Sequence, residues 1–151
     1  MAQSLSKIYV HLIFHIKTTS PQIRDKEVER IHSYIGMLVN ATECSVIQVG
    51  GVSDHVHILF VLSKNVCLMH VVEEVKRNSS RWIKSLDAHY AKFEWQGGYG
   101  AFSVSQSVVD KTLQYIKRQR EHHRKQTFRE EYIEFLKTYN VDYNDGYVFR
   151  D

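Results

Sequence analysis

Two histidines separated by a single residue, His55 and His57, form the pattern in this sequence that most directly suggests chemistry. Side chains of a β-strand alternate between its two faces, so both imidazoles would lie on the same face of a strand through this segment. Imidazole is the commonest protein ligand of metal ions, and this spacing lets two rings bind one ion. A half-buried strand with polar residues on its wetter side would show the same pattern. The pair is therefore a candidate metal site that needs support from the rest of the chain.

A second group of polar side chains lies at helical spacing further along. Tyr115 and Gln119 are four residues apart, which places them one turn apart on one helix face, and His122 continues that face. Tyrosine can act as a nucleophile, but with an unperturbed pKa of about 10 it must be helped to lose its proton. A divalent cation bound by His55, His57 and the Gln119 carbonyl would have only neutral ligands. It would keep its full charge to polarise a substrate phosphate as a Lewis acid.

The elements that must position these residues follow from the apolar pattern. Strict alternation predicts strands over about 7–16, 45–49, 55–62 and 99–105. Helical spacing predicts helices over about 25–41, from 63 or 65 onward, over about 107–125 and over about 128–139. Asp25 is predicted to cap the first helix, and Ser107 with Asp110 to form a capping box at the head of the third.

The predicted order, β-α-β-β-α-β followed by two helices, is typical of the ferredoxin-like, split βαβ arrangement. This is an α+β fold in which the two crossover helices cover one face of an antiparallel sheet. The opposite face is then expected to be free for a site or a partner. The first of the two C-terminal helices would carry Tyr115.

Length and composition indicate one soluble globular domain over residues 1–151. The chain is 43% hydrophobic and 25% charged, with neither a linker nor an internal repeat, and with no run of apolar residues as long as a membrane span. Cys44 and Cys67 form neither a disulfide framework nor a CxxC pair, which suits a reducing cytoplasm. The net charge of +3 is compatible with nucleic acid but too small to imply it.

Several segments together resemble the small single-tyrosine transposases of the HUH nuclease superfamily and the related REP-associated tyrosine transposases. His55-Val56-His57 is the histidine–hydrophobe–histidine triplet that names the superfamily. Residues 93–105, FEWQGGYGAFSVS, are similar to a WQxGYGAFSVS segment, and residues 115–123, YIKRQREHH, to the tyrosine-helix signature. The last helix and the tail are similar at Phe128, Glu131, Tyr132, Tyr143 and Tyr147. The resemblance extends over nearly the whole chain.

The resemblance implies a reaction on single-stranded DNA. Tyr115 would attack a phosphodiester, leaving a 5′-phosphotyrosine link and a free 3′-hydroxyl, and the reverse attack would rejoin strands. His55, His57 and Gln119 would bind Mg²⁺ or Mn²⁺, with modest affinity because these ions prefer oxygen ligands. The family further implies a homodimer, DNA that contains hairpins, and action at the nucleoid of a bacterial cytoplasm. The sequence leaves open whether the tyrosine serves its own subunit or the other.

Basic side chains are the candidates for contact with the DNA backbone. They occur near the end of the second predicted helix and on the tyrosine helix, at Lys76, Arg77, Arg81, Lys117 and Arg118, where a solvated helix face is the plainer explanation. His122 is a possible proton relay for the tyrosine. Four other histidines are expected to have no chemical role: His11, His15, His70 and His89. Four aromatic residues could stack on bases: Trp82, Trp95, Tyr99 and Phe102. Most of these four are expected to lie in the core.

Two other functions fit the same sequence less well. Ferredoxin-like sheets also form RNA-recognition modules, so the chain could be a non-catalytic binder of single strands, although the aromatic strand motif of those modules is absent. A domesticated protein that acts on dispersed genomic hairpins would keep all the residues named above. The location of the gene, and not the protein sequence, separates this last alternative from a mobile element.

Overall fold

The computed structural model describes residues 2–151. Its sheet consists of β1 (Ile8–His15), β2 (Ser45–Val52), β3 (His55–Leu62) and β4 (Gly100–Val104). The helices are α1 (Asp25–Ala41), α2 (Leu68–Lys84), α3 (Val109–Lys117), α4 (Gln119–His122) and α5 (Phe128–Thr138). Short 3₁₀ turns occupy Ala88–Tyr90 and Gln106–Val108.

The strands form one sheet in the order β2-β3-β1-β4, and every neighbouring pair is antiparallel. This order, with the first and third strands at the centre, is that of a ferredoxin-like sheet, and it confirms the predicted fold class. Because β1 and β3 are both central, the His-x-His strand lies in the best-buried part of the sheet. In the described part of the chain, no helix combines the length and the apolarity needed to cross a membrane.

The first two helices cover one face of the sheet, as predicted. Inward residues of β1 and β3, such as Leu12, Phe14 and Ile58, are fully buried there. They pack against the apolar stripes of α1 and α2, which include Ile31 and Val71. Burying a side chain of this size stabilises the fold by about 1.5–3 kcal/mol. Most of the buried apolar residues belong to this layer, so it supplies most of the core.

The opposite face is not free, which corrects the prediction from topology. Ile116 of α3 packs with Tyr9 and Leu59 of the central strands. Tyr132 of α5 packs with Ile13 of β1 and with other aromatic and aliphatic residues. The chain therefore covers its own second face with C-terminal helices, and the His-x-His pair is enclosed between them and the sheet.

Two glycines allow these helices to lie close to the sheet. A Cβ atom on Gly50 of β2 would lie 2.4 Å from the carbonyl oxygen of Ile116 in α3. A Cβ atom on Gly100 of β4 would lie 2.6 Å from the hydroxyl of Tyr132 in α5. Both distances are far below van der Waals contact. The absence of side chains at these positions therefore sets how deeply α3 and α5 sit.

The predicted third helix is broken, so the extension contains three helices and not two. α3 ends at Lys117, Arg118 has φ −97° and ψ 20°, and α4 begins at Gln119. Directly after the break, the Gln119 side chain is buried, and its Oε1 lies 3.0 Å from Nε2 of His55. The break thus coincides with the insertion of this amide into the site. Local helix propensity does not predict such a break.

Three predicted helix starts also differ from those observed. α1 begins at Asp25 itself, so Arg24 is its N-cap, and α2 begins at Leu68, later than predicted. Ser107 lies in a 3₁₀ turn and forms no capping box. A capping box is present instead at the head of α5, between Thr127 and Glu130. Short polar side chains near a helix start compete for the capping role, and tertiary packing selects among them.

Candidate functional site

The His-x-His pair lies at the start of β3, directly after the tight turn that joins it to β2. His55 and His57 point to the same side of the sheet, as predicted, and both side chains are 0% exposed. Helices α3, α4 and α5 close over them. The site is therefore built from the sheet below and the C-terminal helices above.

Both ring nitrogens of His55 face oxygen acceptors. Its Nδ1 lies 2.7 Å from Oδ1 of Asp54, and its Nε2 lies 3.0 Å from Oε1 of Gln119. A carboxylate partner on one nitrogen is the usual arrangement of a metal-binding histidine, because it leaves the other nitrogen unprotonated. In that tautomer the Nε2 lone pair faces another acceptor, the Gln119 carbonyl oxygen. A cation between the two atoms would satisfy both.

His57 is equally well held. Its Nδ1 lies 2.8 Å from Nε2 of His11, and its Nε2 lies 3.0 Å from Oε1 of Glu131. Burial lowers the pKa of His57 to about 4, so the ring is neutral at physiological pH. His11 was expected to have no chemical role, yet its ring can pair with either tautomer of His57. Because His11 is itself buried, it acts as a support for the histidine and not as a surface group.

Glu131 is a site residue that sequence reasoning missed. It is 1% exposed and lies where hydrogen bonds from three directions meet. Burial raises the pKa of its carboxyl, but hydrogen bonds from His123, His57 and Tyr115 outweigh this and hold the pKa well below its usual range. A signal was present: Glu131 falls within the apolar stripe of α5, a position that a solvated glutamate would not occupy.

His123 is the second residue that was missed. Its Nε2 lies 3.0 Å from Oε1 of Gln119 and 3.1 Å from Oε1 of Glu131, while its Nδ1 lies 2.7 Å from the carbonyl of Gln126. Burial lowers the pKa of its ring, but the hydrogen bond and charge of Glu131 more than offset this, so the pKa is raised. A signal was present here too: His123 follows Gln119 at the same four-residue spacing that places Tyr115 and Gln119 on one helix face.

The site has the donors that a divalent metal ion needs. His55, His57, His123 and Glu131 each present one ligand atom, and these atoms lie within 4.8 Å of one another. The Gln119 carbonyl oxygen is within hydrogen-bonding distance of two of them. Imidazole nitrogens together with carboxylate and amide oxygens suit Mn²⁺ and similar ions, so the residues present fit a metal.

Tyr115 lies beside this cluster in the same chain. Its hydroxyl donates a hydrogen bond to Oε2 of Glu131 and lies 3.2 Å from Nε2 of His122. Its ring centroid is 5.9 Å from that of His57. Burial, followed by the charge of Glu131, raises the pKa of Tyr115, so the hydroxyl is protonated in this arrangement. The structure thus brings together Tyr115, Gln119 and His122, as the helical spacing indicated.

A basic cleft opens next to the tyrosine. Its volume is about 740 Å³, and its lining includes Tyr115, His122 and four cationic side chains: Lys111, Arg118, Arg124 and Lys125. Lys117, another predicted DNA contact, lines a different cleft of about 600 Å³ together with Arg120 and His32. The two clefts share no lining residue, and of the two predicted cations on this helix only Arg118 lines the cleft of the tyrosine.

The predicted cations of α2 lie on the other face of the sheet, away from the tyrosine. Lys76 donates to the carbonyl oxygens of Gln96 at 2.8 Å and Gly98 at 2.6 Å, and burial lowers its pKa to about 8. Arg77 forms an ion pair with Glu74, while Arg81 is exposed. Lys76 therefore supports the loop that precedes β4.

The remaining histidines and aromatic residues mostly lie where they were expected. Trp95 and Phe102 are buried in the core, while Trp82 stacks on Tyr34 and Tyr99 is exposed. His70 and His89 are exposed, and His15 is buried against Phe128. Among the four histidines that were expected to be inert, His11 is hydrogen-bonded to His57, and His15 lies opposite His55 in the register of β1 and β3.

Comparison with known proteins assigns the family. A search of curated proteins found no match. A candidate transposase from Deinococcus radiodurans R1 has a similar crystal structure, with a TM-score of 0.60 and 20% identity over 79% of this chain and 98% of that one. A REP-associated tyrosine transposase bound to a REP hairpin has a TM-score of 0.59 and 12% identity over 82% of this chain and 74% of that one. These two likenesses concern the fold.

The sequence model of the family described as IS200-like transposases matches residues 4–119. This segment contains the complete sheet, the His-x-His pair, Tyr115 and Gln119. It covers well over half of the chain, and it ends before His123 and Glu131. The protein is a transposase and belongs to the IS200-like transposase family.

Proposed function

We propose that this transposase cleaves and rejoins single-stranded DNA through a covalent link between Tyr115 and a 5′-phosphate. The observation that carries the proposal is the position of the Tyr115 hydroxyl, which lies against a buried cluster of metal-binding groups within its own chain. A protein that only bound DNA would have no use for a half-buried tyrosine at such a cluster. Residues 1–151 then form a single catalytic domain.

The proposed reaction exchanges one phosphodiester for another. The Tyr115 oxygen attacks phosphorus, the bond from phosphorus to the 3′ oxygen breaks, and the 5′-phosphate stays on the tyrosine. The tyrosine proton leaves to a base, and the departing 3′ oxygen takes up a proton to become a hydroxyl. His122, 3.2 Å from the tyrosine oxygen, is the proposed relay for these protons. Attack by a 3′-hydroxyl on the phosphotyrosine reverses the steps and rejoins a strand.

We propose Mg²⁺ or Mn²⁺ as the cofactor, bound through His55, His57 and Gln119. When bound, such an ion supplies Lewis-acid polarisation of the scissile phosphate. The chain supplies the orientation of the ligands: Asp54 holds the ring of His55 and His11 that of His57. These outer hydrogen bonds keep a nitrogen lone pair of each ring directed into the site.

The proposed DNA path runs through the basic cleft beside Tyr115. Its four cationic side chains would neutralise backbone phosphates, which is the dominant contribution to affinity for single strands. We propose DNA that contains a hairpin, by analogy with the REP hairpin bound by the similar structure. We further propose a homodimer, acting on DNA in the cytoplasm, in which each tyrosine serves the histidines of its own subunit.

A covalent-adduct assay tests this function. The protein is incubated with Mn²⁺ and labelled single strands from both flanks of its gene, and products are separated on a denaturing gel. We expect a shifted band that is lost with EDTA and in Tyr115→Phe, and retained in Tyr147→Phe, a control at an exposed tyrosine. An adduct that survives in Tyr115→Phe would show a different nucleophile. Binding on a native gel without any adduct would favour the non-catalytic binding module.

A further inference from the structure

The C-terminal helix α5 contributes a carboxylate to the enclosed site. Glu131 lies one position before the buried Tyr132 and is itself almost completely buried. An ionised carboxylate is strongly destabilising inside a protein unless it is paired and hydrogen-bonded. The presence of a glutamate within an otherwise apolar helix stripe therefore indicates a specific function for its carboxylate.

The two oxygens of Glu131 face different groups. Oε1 lies 3.0 Å from Nε2 of His57 and 3.1 Å from Nε2 of His123, the nitrogens that face the centre of the cluster. Oε2 accepts hydrogen bonds from the Tyr115 hydroxyl and, at 3.1 Å, from the Gln119 amide nitrogen. One oxygen is thus on the metal-binding side and the other is on the nucleophile.

We propose that Glu131 is a bridging carboxylate that binds the metal ion through Oε1 and holds the hydroxyl of Tyr115 through Oε2. This assignment rests on the proposed function and adds to it an anionic ligand from a helix outside the segment matched by the family. Glu131 then sets the position of the attacking oxygen relative to the ion, in addition to increasing the affinity of the site.

The chemistry of the donors supports the bridge. Without a metal, His57 donates its Nε2–H to Oε1, because a carboxylate can only accept. A metal-bound His57 presents an Nε2 lone pair instead, and that lone pair would face Oε1 as acceptor against acceptor. Coordination of the same ion by both atoms removes this conflict. A carboxylate also improves the binding of Mg²⁺ and Mn²⁺, which prefer oxygen ligands over imidazole.

The position of Glu131 is set from both sides along α5. Before it, the capping box of Thr127 and Glu130 determines where the helix begins. After it, Tyr132 packs against the backbone at Gly100, where a side chain would clash. With the register of α5 determined in this way, the Glu131 carboxylate is presented to the site with little freedom, as a ligand that must be preorganised requires.

The first test is Mn²⁺ affinity, measured by isothermal titration calorimetry without DNA. We expect Glu131→Gln to weaken binding by at least about 10-fold, and Glu131→Asp to recover part of the loss. Glu134→Gln, an exposed position one turn away, is the matched control and should bind as the wild type does. Equal affinity in Glu131→Gln and wild type would overturn the bridge but leave the proposed function intact. Absence of Mn²⁺ binding by the wild type would overturn both.

A second measurement does not depend on the stability of any variant. In a Mn²⁺ complex of the wild-type protein, the anomalous peak should lie within a coordination distance of roughly 2.0–2.6 Å from Oε1 of Glu131. The Tyr115 hydroxyl should remain hydrogen-bonded to Oε2. An ion bound by His55, His57 and Gln119, with the Glu131 carboxylate outside coordination distance, would refute the proposal.

Discussion

Replacing Gly50 by alanine should disable the site without touching any residue in it. The new Cβ atom would lie 2.4 Å from the carbonyl oxygen of Ile116 and 2.7 Å from its Cγ2 atom. Ile116 directly follows Tyr115 on α3, so relief of this clash must move the tyrosine as well. The partner is backbone and not the flexible end of a side chain, which makes the movement difficult to avoid.

The size of the displacement follows from the contact distance. Ordinary contact between such atoms begins at about 3.4 Å, so α3 must retreat by about 1 Å from β2. Overpacking of this kind destabilises a fold by about 1–3 kcal/mol. A misplacement of about 1 Å at a reacting group can lower its rate about 100-fold. We therefore expect Gly50→Ala to fold with reduced stability and to form the DNA adduct about 100-fold more slowly than wild type.

The assay is the rate of adduct formation with a saturating labelled strand, alongside a thermal melt. Gly36→Ala is the control, because its Cβ atom would lie 3.6 Å from Val46, an ordinary contact. Gly36 lies inside α1, where alanine is preferred to glycine, so this variant should be at least as stable as wild type and fully active. A Gly50→Ala protein with the melting temperature and adduct rate of wild type would refute the argument that this glycine sets the depth of α3.

Three further results are expected. The melting temperature without metal should fall as the pH is lowered from about 6.5 towards 4. Burial lowers the pKa values of His57 and His32 to about 4, so these rings take up protons in the unfolded chain before they do so in the folded one. A melting temperature that stays constant over this range would contradict their burial as neutral rings. His11→Leu should weaken Mn²⁺ binding about 10-fold in calorimetry, and His11→Gln, which keeps a polar group, should weaken it less. Equal losses of Mn²⁺ affinity in the two variants would argue against a hydrogen-bonding role of His11. Arg118→Gln should weaken single-strand binding and reduce the slope of log affinity against log salt by about 0.7. Arg81→Gln, on the other face of the sheet, should leave the affinity and the slope unchanged. A larger loss of affinity in Arg81→Gln than in Arg118→Gln would place the DNA on α2.

The sequence by itself determined the fold class and the main chemical groups. Alternation along β1 and β3 distinguishes a polar face from an apolar one, and this is a local property that needs no tertiary information. The spacing of Tyr115, Gln119 and His122 likewise predicts that they face the same way, and the structure brings them together. Such patterns are visible in a sequence because the backbone geometry of a strand or a helix alone determines which residues share a face.

Only the tertiary structure decided which further groups complete the site. The break at Arg118 occurs where Gln119 is buried against His55, a contact between residues far apart in the chain, and His123, one turn after Gln119, joins the site with it. Glu131 joins the site because α5 packs across the sheet at Gly100, and His11 joins because β1 pairs with β3. Whether a buried glutamate or histidine has a partner depends on packing between distant segments, and no local pattern encodes that.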